Sequence, residues 1–211
     1  MLLKNLSKLF LFIPLILYFG KRSLIAYDEG FYALQAKWIL ENNNWIAPLW
    51  WGNISLDRTI GIQNLIAISQ KVFGNNIFVI YIPNILAAGI MLFGTYYLHK
   101  ELIKNKYSII SPIILATSFL WINYAHMATQ DIIFSSLVTI GILVTIKSIK
   151  TEKTLYYFLS GIWIGLAFIM KTFLTVIPFI SLLPVLYKFK IIKNKYFFLG
   201  LIIGFIPFII W

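Results

Sequence analysis

The sequence predicts an all-α integral membrane protein, a polytopic bundle of about seven transmembrane helices. Hydrophobic residues make up 60% of the chain and charged residues only 12%, whereas soluble domains are about half apolar and about one quarter charged. Apolar runs that approach the length needed to cross a bilayer, about 20 residues, recur between short polar breaks. These runs predict helices over 3–20, 77–98, 108–125, 132–149, 155–170, 173–187 and 196–211.

The segments between these helices contain no soluble domain, so residues 1–211 form a single predicted transmembrane domain. Residues 61–73 are apolar but too short to span, and we expect them to lie against the bundle or at the interface. The run over 3–20 is either a retained signal anchor or a cleaved signal peptide. The absence of a small-residue cleavage pattern after it favours the anchor. Because the chain has no cysteine, it has neither a disulfide nor a thiolate metal site.

The basic residues predict the orientation, since cytoplasmic connections carry an excess of lysine and arginine. Twelve of the 18 basic residues fall at the N-terminus and in alternate connections: Lys4, Lys8, Lys100, Lys104, Lys106, Lys147, Lys150, Lys153, Lys188, Lys190, Lys193 and Lys195. This distribution predicts a cytoplasmic N-terminus in the plasma (inner) membrane, with residues 21–60 as the first extracytoplasmic loop. It also accounts for the net charge of +11 without a nucleic-acid partner.

The loop over 21–60 contains an acidic pair, Asp28-Glu29, in a chain with only seven acids. The residues over 30–42 predict an amphipathic juxtamembrane helix at the membrane surface. Asp28 is positioned to cap its start, and a run of asparagines over 42–44 ends it. Three tryptophans follow and suggest an interfacial aromatic belt: Trp45, Trp50 and Trp51.

Further ionisable residues fall on the same predicted outer side: Asp57, Arg58, His126, Asp131 and Lys171. Ionisable groups at membrane depth are costly and usually functional. Each also has a simpler explanation. Asp28 and Asp131 are placed to cap helices, Arg58 to pair with Asp57, and Lys171 to extend towards lipid headgroups. His126 is either a polar surface residue or a proton relay, and with Asp57 it offers at most two ligands to a divalent ion.

The loop "YDEGFYALQAKWILENNNWIAPLWWGN" resembles the first outer loop of glycosyltransferase family 39, the membrane enzymes of the protein-mannosyltransferase and aminoarabinose-transferase type in the C-fold superfamily. The matching residues are Asp28, Glu29, Tyr32, Ala33, Ala36, Trp45, Pro48 and Gly52. Two later segments, "MATQDIIFSSLVTIGILVTI" and "GIWIGLAFIMKTFLTVIPF", resemble family segments in the same order. The family follows its loop with Lys-Pro or Lys-Pro-Pro. Here Arg58 stands in place of the lysine and the prolines are absent.

The resemblance implies a glycosyltransferase C-like fold and transfer of a hexose or pentose from a polyprenyl-phosphate carrier to a lipid, glycan or protein acceptor on the outer side. A carboxylate acts as general base in such a reaction, and a fixed cation stabilises the phosphate leaving group. We expect Asp28 and Asp131 to be catalytic and to meet at the outer mouth of the bundle. The expected substrate-binding residues are Glu29, Tyr32, Asp57, Arg58, His126 and Lys171, with no metal and no cofactor. Glu29 is expected either to bind sugar hydroxyls or to orient the loop helix.

Family members continue through several more helices, so the chain is expected to be the N-terminal portion of a longer architecture. Its candidate partners are the sugar donor, the acceptor, membrane lipids and a separate C-terminal portion. Two other functions stay open at this point. One is an inactive remnant or structural membrane subunit. The other is a transporter component, which the surface clustering of the acids and the absence of a repeat disfavour.

Overall fold

The computed structural model describes residues 23–55, 57–103 and 107–211. The elements in chain order are α1 (Glu29–Asn42), β1 (Leu49–Trp50), β2 (Asn53–Ile54), α2 (Gly61–Phe73), α3 (Ile77–Ile80), α4 (Ile82–Ile103), α5 (Ile110–Ala116), α6 (Phe119–Ala125), α7 (Gln130–Thr151), α8 (Thr154–Lys171), α9 (Val176–Lys188) and α10 (Lys195–Ile210). Short 3-10 turns over Thr172–Thr175 and Ile191–Lys193 flank α9. The predicted helix over 3–20, with Lys4 and Lys8, lies outside the described residues, as do Lys104 and Lys106.

Helix α1 confirms the helix predicted in the loop and begins within one residue of its expected start. Its buried residues lie on several sides, and its exposed positions are Leu34, Lys37, Glu41 and Asn42. The helix packs mainly against α2. It is therefore an integrated part of the bundle, not a helix with one broad apolar face.

A two-stranded hairpin follows α1 and departs from the all-α prediction. Strands β1 and β2 pair antiparallel, and the turn residues Trp51 and Gly52 have φ values of 54° and 79°. Positive φ at both turn positions is the geometry of the tight hairpin turn that glycine favours. The interfacial belt of three tryptophans stays a prediction. The Trp50 ring packs 4.6 Å from that of Phe31, and only Trp51 is largely exposed.

The predicted helix over 108–125 is interrupted, which the apolar pattern did not reveal. Helices α5 and α6 have seven residues each and are separated by Thr117 and Ser118. The Ser118 side chain caps α6 by accepting a hydrogen bond from the Trp121 amide, 3.4 Å away. A serine that caps a helix competes with continuation of the preceding one. The predicted helix over 77–98 is likewise divided at Tyr81 into α3 and α4.

Helices α8 and α10 pack in parallel through glycines. A Cβ on Gly161 would lie 2.1 Å from the Phe197 carbonyl oxygen, and one on Gly165 would lie 2.1 Å from the Gly204 carbonyl carbon. These contacts show how the Gly161-x-x-x-Gly165 motif permits close helix packing. Because the two helices point in the same direction, the intervening α9 has to return along the bundle.

Within the described ranges, two helical segments are long and apolar enough to cross a membrane by length and composition, Gln130–Thr151 and the 35-residue run Thr154–Lys188. Lys195–Ile210 is apolar but shorter. The number of seven spans stays a prediction. Asp131 lies in the first turn of α7, and Lys150 lies near its other end. The Lys150 ammonium binds the Glu101 carboxylate at the end of α4, 2.9 Å away. The basic connections therefore lie at the bundle end opposite Asp131.

The ends of α1 and α7 offer a direct test of the predicted orientation. The chain has no cysteine, so single cysteines introduced at exposed positions report only themselves. We expect Asn43→Cys, in the first loop, to react with an impermeant thiol reagent in intact cells. We expect Thr151→Cys, beside the basic connection, to react only after permeabilisation. Labelling of Thr151→Cys alone in intact cells would reverse the orientation.

Candidate active site

A cavity of about 660 Å³ opens at the end of the bundle where α7 begins and α8 and α10 end. Its lining residues are Asp28, Tyr32, Asp57, Arg58, Thr59, Gln130, Asp131, Lys171, Thr172, Phe173, Leu174 and Trp211. Six of the eight predicted site residues are in this set, although they come from four separate stretches of the chain. Asp28, Asp131 and Arg58 all line this cavity, and their roles in it stay predictions.

One side of the cavity is built around Arg58. Its Nη1 donates to the Asp28 carboxylate at 2.9 Å and to the Tyr32 hydroxyl oxygen at 2.7 Å. The guanidinium also lies over the rings of Phe31 and Tyr32, 5.4 and 5.1 Å from their centroids. Such stacking and fixed hydrogen bonding orient arginine more closely than charge alone. The amino-terminal turn of α1 thus holds the Arg58 guanidinium in place.

These contacts change the titration of both partners. Burial raises the pKa of the Tyr32 phenol, and the hydrogen bond and charge of Arg58 offset this only in part. The charges of Asp28 and Asp131 act on the pKa of Tyr32 in the same direction as burial. Burial lowers the pKa of Arg58, but the hydrogen bonds to Tyr32 and Asp28 outweigh it and raise the pKa overall. Tyr32 is therefore neutral and Arg58 charged at neutral pH.

The contacts of Asp28 exclude its simpler explanation as a helix cap. Asp28 occupies the N-cap position of α1, but its side chain makes no capping hydrogen bond. Its carboxylate instead accepts from Arg58, and 40% of the side chain is exposed. The alternative in which Arg58 pairs with Asp57 is likewise wrong within the described part of the chain, because the ion pair is with Asp28. The carboxylate is left accessible from the cavity.

The other side of the cavity carries a second ion pair. The Lys171 ammonium donates to the Asp131 carboxylate at 2.5 Å, which joins the end of α8 to the first turn of α7. Asp131 is not the helix cap, because the N-cap residue is Thr129. The Lys171 ammonium therefore binds a carboxylate of the protein, so extension towards lipid headgroups alone does not explain its position. The cavity therefore combines two acids and two cations in partly buried pairs.

Of the two roles expected of Glu29, its contacts fit orientation of the helix and not substrate binding. Its side chain is fully buried, and its two carboxylate oxygens accept hydrogen bonds from the backbone amides of Ile25 and Ala128, at 2.9 and 2.7 Å. It is not among the residues that line the cavity. Glu29 therefore ties the start of α1 to the turn before α7, which places Asp28 on the same side as Asp131.

The two other predicted residues differ in their positions. Asp57 is exposed and lines the cavity, whereas His126 ends α6, where its Nδ1 lies 2.7 Å from the Ile122 carbonyl oxygen. His126 is outside the cavity lining, so the structure does not bring it to Asp57. In the described ranges, no group of three or more acidic or histidine side chains is placed to hold a metal ion.

The sequence did not point to several residues that complete the lining. Thr59 and Gln130 adjoin predicted charged residues, and their position beside those charges was the available signal. Thr172, Phe173 and Leu174 follow Lys171 directly. Trp211 had no local signal, because it reaches the cavity only through the parallel packing of α8 and α10.

The chain shares its fold with a protein of known structure. The chain matches the crystal structure of ArnT from Cupriavidus metallidurans bound to undecaprenyl phosphate with a TM-score of 0.85 and 12% identity, over 97% of this chain and 40% of that one. The chain belongs to the dolichyl-phosphate-mannose-protein mannosyltransferase family, whose model matches residues 57–211. The glycosyltransferase family expected from the loop motif is thereby confirmed.

The chain is similar to curated undecaprenyl phosphate-α-4-amino-4-deoxy-L-arabinose arabinosyl transferases. It is 26% identical to the protein of Pseudomonas savastanoi pv. phaseolicola over 74% of this chain and 30% of the relative. It is 29% identical to that of Wigglesworthia glossinidia brevipalpis over 82% and 32%, and 26% identical to that of Yersinia enterocolitica over 92% and 36%. The chain spans about a third of the length of these relatives.

Proposed function

We propose that this chain forms the amino-terminal, catalytic part of a glycosyltransferase in the plasma (inner) membrane, which transfers a sugar from a polyprenyl-phosphate carrier to an acceptor on the extracytoplasmic side. The observation that carries the proposal is the cavity in which Asp28, Arg58, Asp131 and Lys171 meet. Two acids beside two cations suit a reaction that needs both a base and a stabilised phosphate leaving group.

Asp28 is the proposed general base. Its carboxylate would accept the proton of the acceptor hydroxyl as that oxygen bonds to the anomeric carbon of the sugar. The bond between the anomeric carbon and the phosphate oxygen breaks, and its electron pair stays on the polyprenyl phosphate. Asp131 lies in the same cavity, where it would orient the acceptor hydroxyl. Glu29 supports the reaction only by holding the start of α1.

Arg58 and Lys171 are the proposed phosphate-binding cations. A guanidinium offers paired donors that match phosphate oxygens, and Arg58 is already oriented by Tyr32 and Phe31. The incoming phosphate would compete with Asp28 for Arg58. Donor binding would then loosen the ion pair and leave the Asp28 carboxylate available for the acceptor proton.

The donor is proposed to be undecaprenyl phosphate bearing a pentose of the 4-amino-4-deoxy-L-arabinose type. The names of the relatives specify this donor, and the ArnT structure with a TM-score of 0.85 is bound to undecaprenyl phosphate. The acceptor hydroxyl belongs to a lipid, glycan or protein. A transfer assay in membranes that contain the chain, alone and with a carboxy-terminal portion from a longer relative, tests the reaction itself.

Replacement of Arg58 tests phosphate recognition directly. We expect Arg58→Gln to weaken binding of undecaprenyl phosphate to the purified chain by about tenfold to a hundredfold, the worth of a charge-assisted hydrogen bond. Arg58→Lys should have a smaller effect, because it keeps the charge and loses the planar, stacked group. Binding is measured by titration of the lipid into detergent-solubilised protein.

The matched control for Arg58→Gln is Lys37→Gln. Lys37 is an exposed basic residue of α1 that pairs with Glu41 and lies outside the cavity lining. Its replacement removes the same charge, and we expect parent-like binding. Undiminished binding by Arg58→Gln, or an equal loss for Lys37→Gln, would contradict the proposed phosphate site.

A further inference from the structure

A layer of buried hydrogen bonds lies directly behind the charged residues of the cavity. The Thr59 hydroxyl donates to the Met170 backbone carbonyl at 2.9 Å, across 111 positions of the chain. The Gln130 side-chain amide donates to the Thr59 backbone carbonyl at 3.4 Å. Thr59 is 5% exposed. The segment before α2 is thus attached to the end of α8 and to the start of α7.

Every residue joined in this layer is the direct sequence neighbour of a charged cavity residue. Thr59 follows Arg58, Gln130 precedes Asp131, and Met170 precedes Lys171. One pair of hydrogen bonds therefore sets the relative positions of the backbones that carry one acid and two cations. Within the described ranges, the ion pairs of these side chains are Arg58–Asp28 and Lys171–Asp131, and no ion pair joins Arg58 to Asp131.

The packing beside Thr59 supports this attachment. Gly61, two residues further on, lies so close to α8 that a Cβ on it would be 2.7 Å from both the Ile169 carbonyl oxygen and the Met170 side chain. The backbone of this segment is in contact with the end of α8, which leaves little room for the hydroxyl to move. A group on a loop is held accurately only when buried contacts of this kind support it.

We infer that Thr59 is a positioning residue for phosphate recognition: its buried hydroxyl fixes the distance between Arg58 and Lys171, so that both cations meet one phosphate group. This inference rests on the proposed function, because it assumes that these two cations bind the donor phosphate. Thr59 itself acts through Arg58 and Lys171. A small displacement of a binding group is enough to lose much of its contribution.

The test compares variants of Thr59 in binding of undecaprenyl phosphate by the purified chain. Thr59→Val keeps the shape and removes the hydroxyl, and we expect about five- to tenfold weaker binding, the worth of one hydrogen bond. Thr59→Ser restores the hydroxyl and should restore binding. Thr59→Ala is measured as a second variant that lacks the hydroxyl and has a smaller side chain, in case the valine is not accommodated.

Thr145→Val is the matched control. The Thr145 hydroxyl is equally buried and donates to the Gly141 carbonyl at 2.7 Å, within α7 and away from the cavity lining. Thermal unfolding of each variant is recorded beside its binding. Weaker binding for Thr59→Val than for Thr145→Val at a similar loss of thermal stability, with rescue by Thr59→Ser, supports the inference.

The following results would overturn the inference about Thr59, and the behaviour of Arg58→Gln separates its failure from failure of the proposed function. Parent-like binding by Thr59→Val and Thr59→Ala excludes positioning, and so does an equal loss of binding for Thr145→Val, because both variants then report only stability. If the parent chain and Arg58→Gln bind the lipid equally, the proposed phosphate site fails, and the inference about Thr59 fails with it. If Arg58→Gln weakens binding and Thr59→Val does not, only the inference fails.

Discussion

Asp28→Asn is expected to lower the rate of sugar transfer by about 100- to 10,000-fold, the usual contribution of a general base. An amide has the same shape as the carboxylate and does not accept a proton at neutral pH. The variant should fold normally, because the Asp28 side chain makes no capping hydrogen bond and asparagine also suits a helix start. The rate is followed as transfer of the lipid-linked sugar to the acceptor over time.

Binding of the donor separates this role from a structural one. Asp28→Asn should bind undecaprenyl phosphate at least as well as the parent, because it removes the carboxylate that competes with phosphate for Arg58. Glu41→Gln is the matched control: Glu41 is an exposed acid of the same helix, pairs with Lys37 and lies outside the cavity lining. Transfer by Asp28→Asn at the parent rate would show that Asp28 is not the base.

The clustering of the candidate site residues was predictable from the distribution of charge. In a chain this apolar, each acid and each cation on the predicted outer side stands out, because charged groups are costly in a membrane and usually functional. Asp28, Arg58, Asp131 and Lys171 were identified in this way, and all four line one cavity. The sequence could not assign the pairs. Arg58 adjoins Asp57 in sequence, yet the folded loop places it on Asp28, 30 positions away.

The helix breaks were less predictable, because hydropathy reports burial in lipid or protein and not continuity of the backbone. Residues 108–125 have the length and composition of a span. The break at Ser118 depends on one capping hydrogen bond, which a hydropathy window does not detect. The sequence also left two roles open for Glu29, orientation of the helix and contact with sugar hydroxyls. The contact that decides between them is the hydrogen bond from the Ala128 amide, 99 positions away, which only the fold brings near.

The segment after Arg58 lacks the prolines of the family and is attached instead by a long-range hydrogen bond. A proline restricts the backbone through its own ring, and that restriction can be seen in a sequence. In this chain Thr59 follows Arg58, and its attachment is the hydroxyl bond to Met170. A bond across 111 positions leaves no trace in the local pattern, which is why the rigidity of this segment could not be predicted.

Gly165→Leu is expected to prevent assembly of α8 with α10. The helices approach at Gly165 so closely that a Cβ there would lie 2.1 Å from the Gly204 carbonyl carbon and 2.4 Å from its oxygen. Both are backbone atoms, so the clash is relieved only by separation of the helices. Even one methyl group, in Gly165→Ala, should cost about 1–3 kcal/mol by overpacking. Leucine should exceed this and leave little folded protein. Thermal unfolding in detergent measures both variants.

Gly94→Ala is the control that separates this close backbone contact from the general effect of replacing a helix glycine. A Cβ on Gly94 would lie 2.9 Å from the Thr139 Cγ2 atom, which belongs to a side chain, and alanine favours helix by about 1 kcal/mol relative to glycine. We therefore expect Gly94→Ala to unfold near the parent temperature. Because Lys171 ends α8 and Trp211 follows α10, both in the cavity lining, Gly165→Ala should also weaken donor binding. If Gly165→Leu unfolds at the temperature of Gly94→Ala, the parallel glycine contact is not what holds these two helices together.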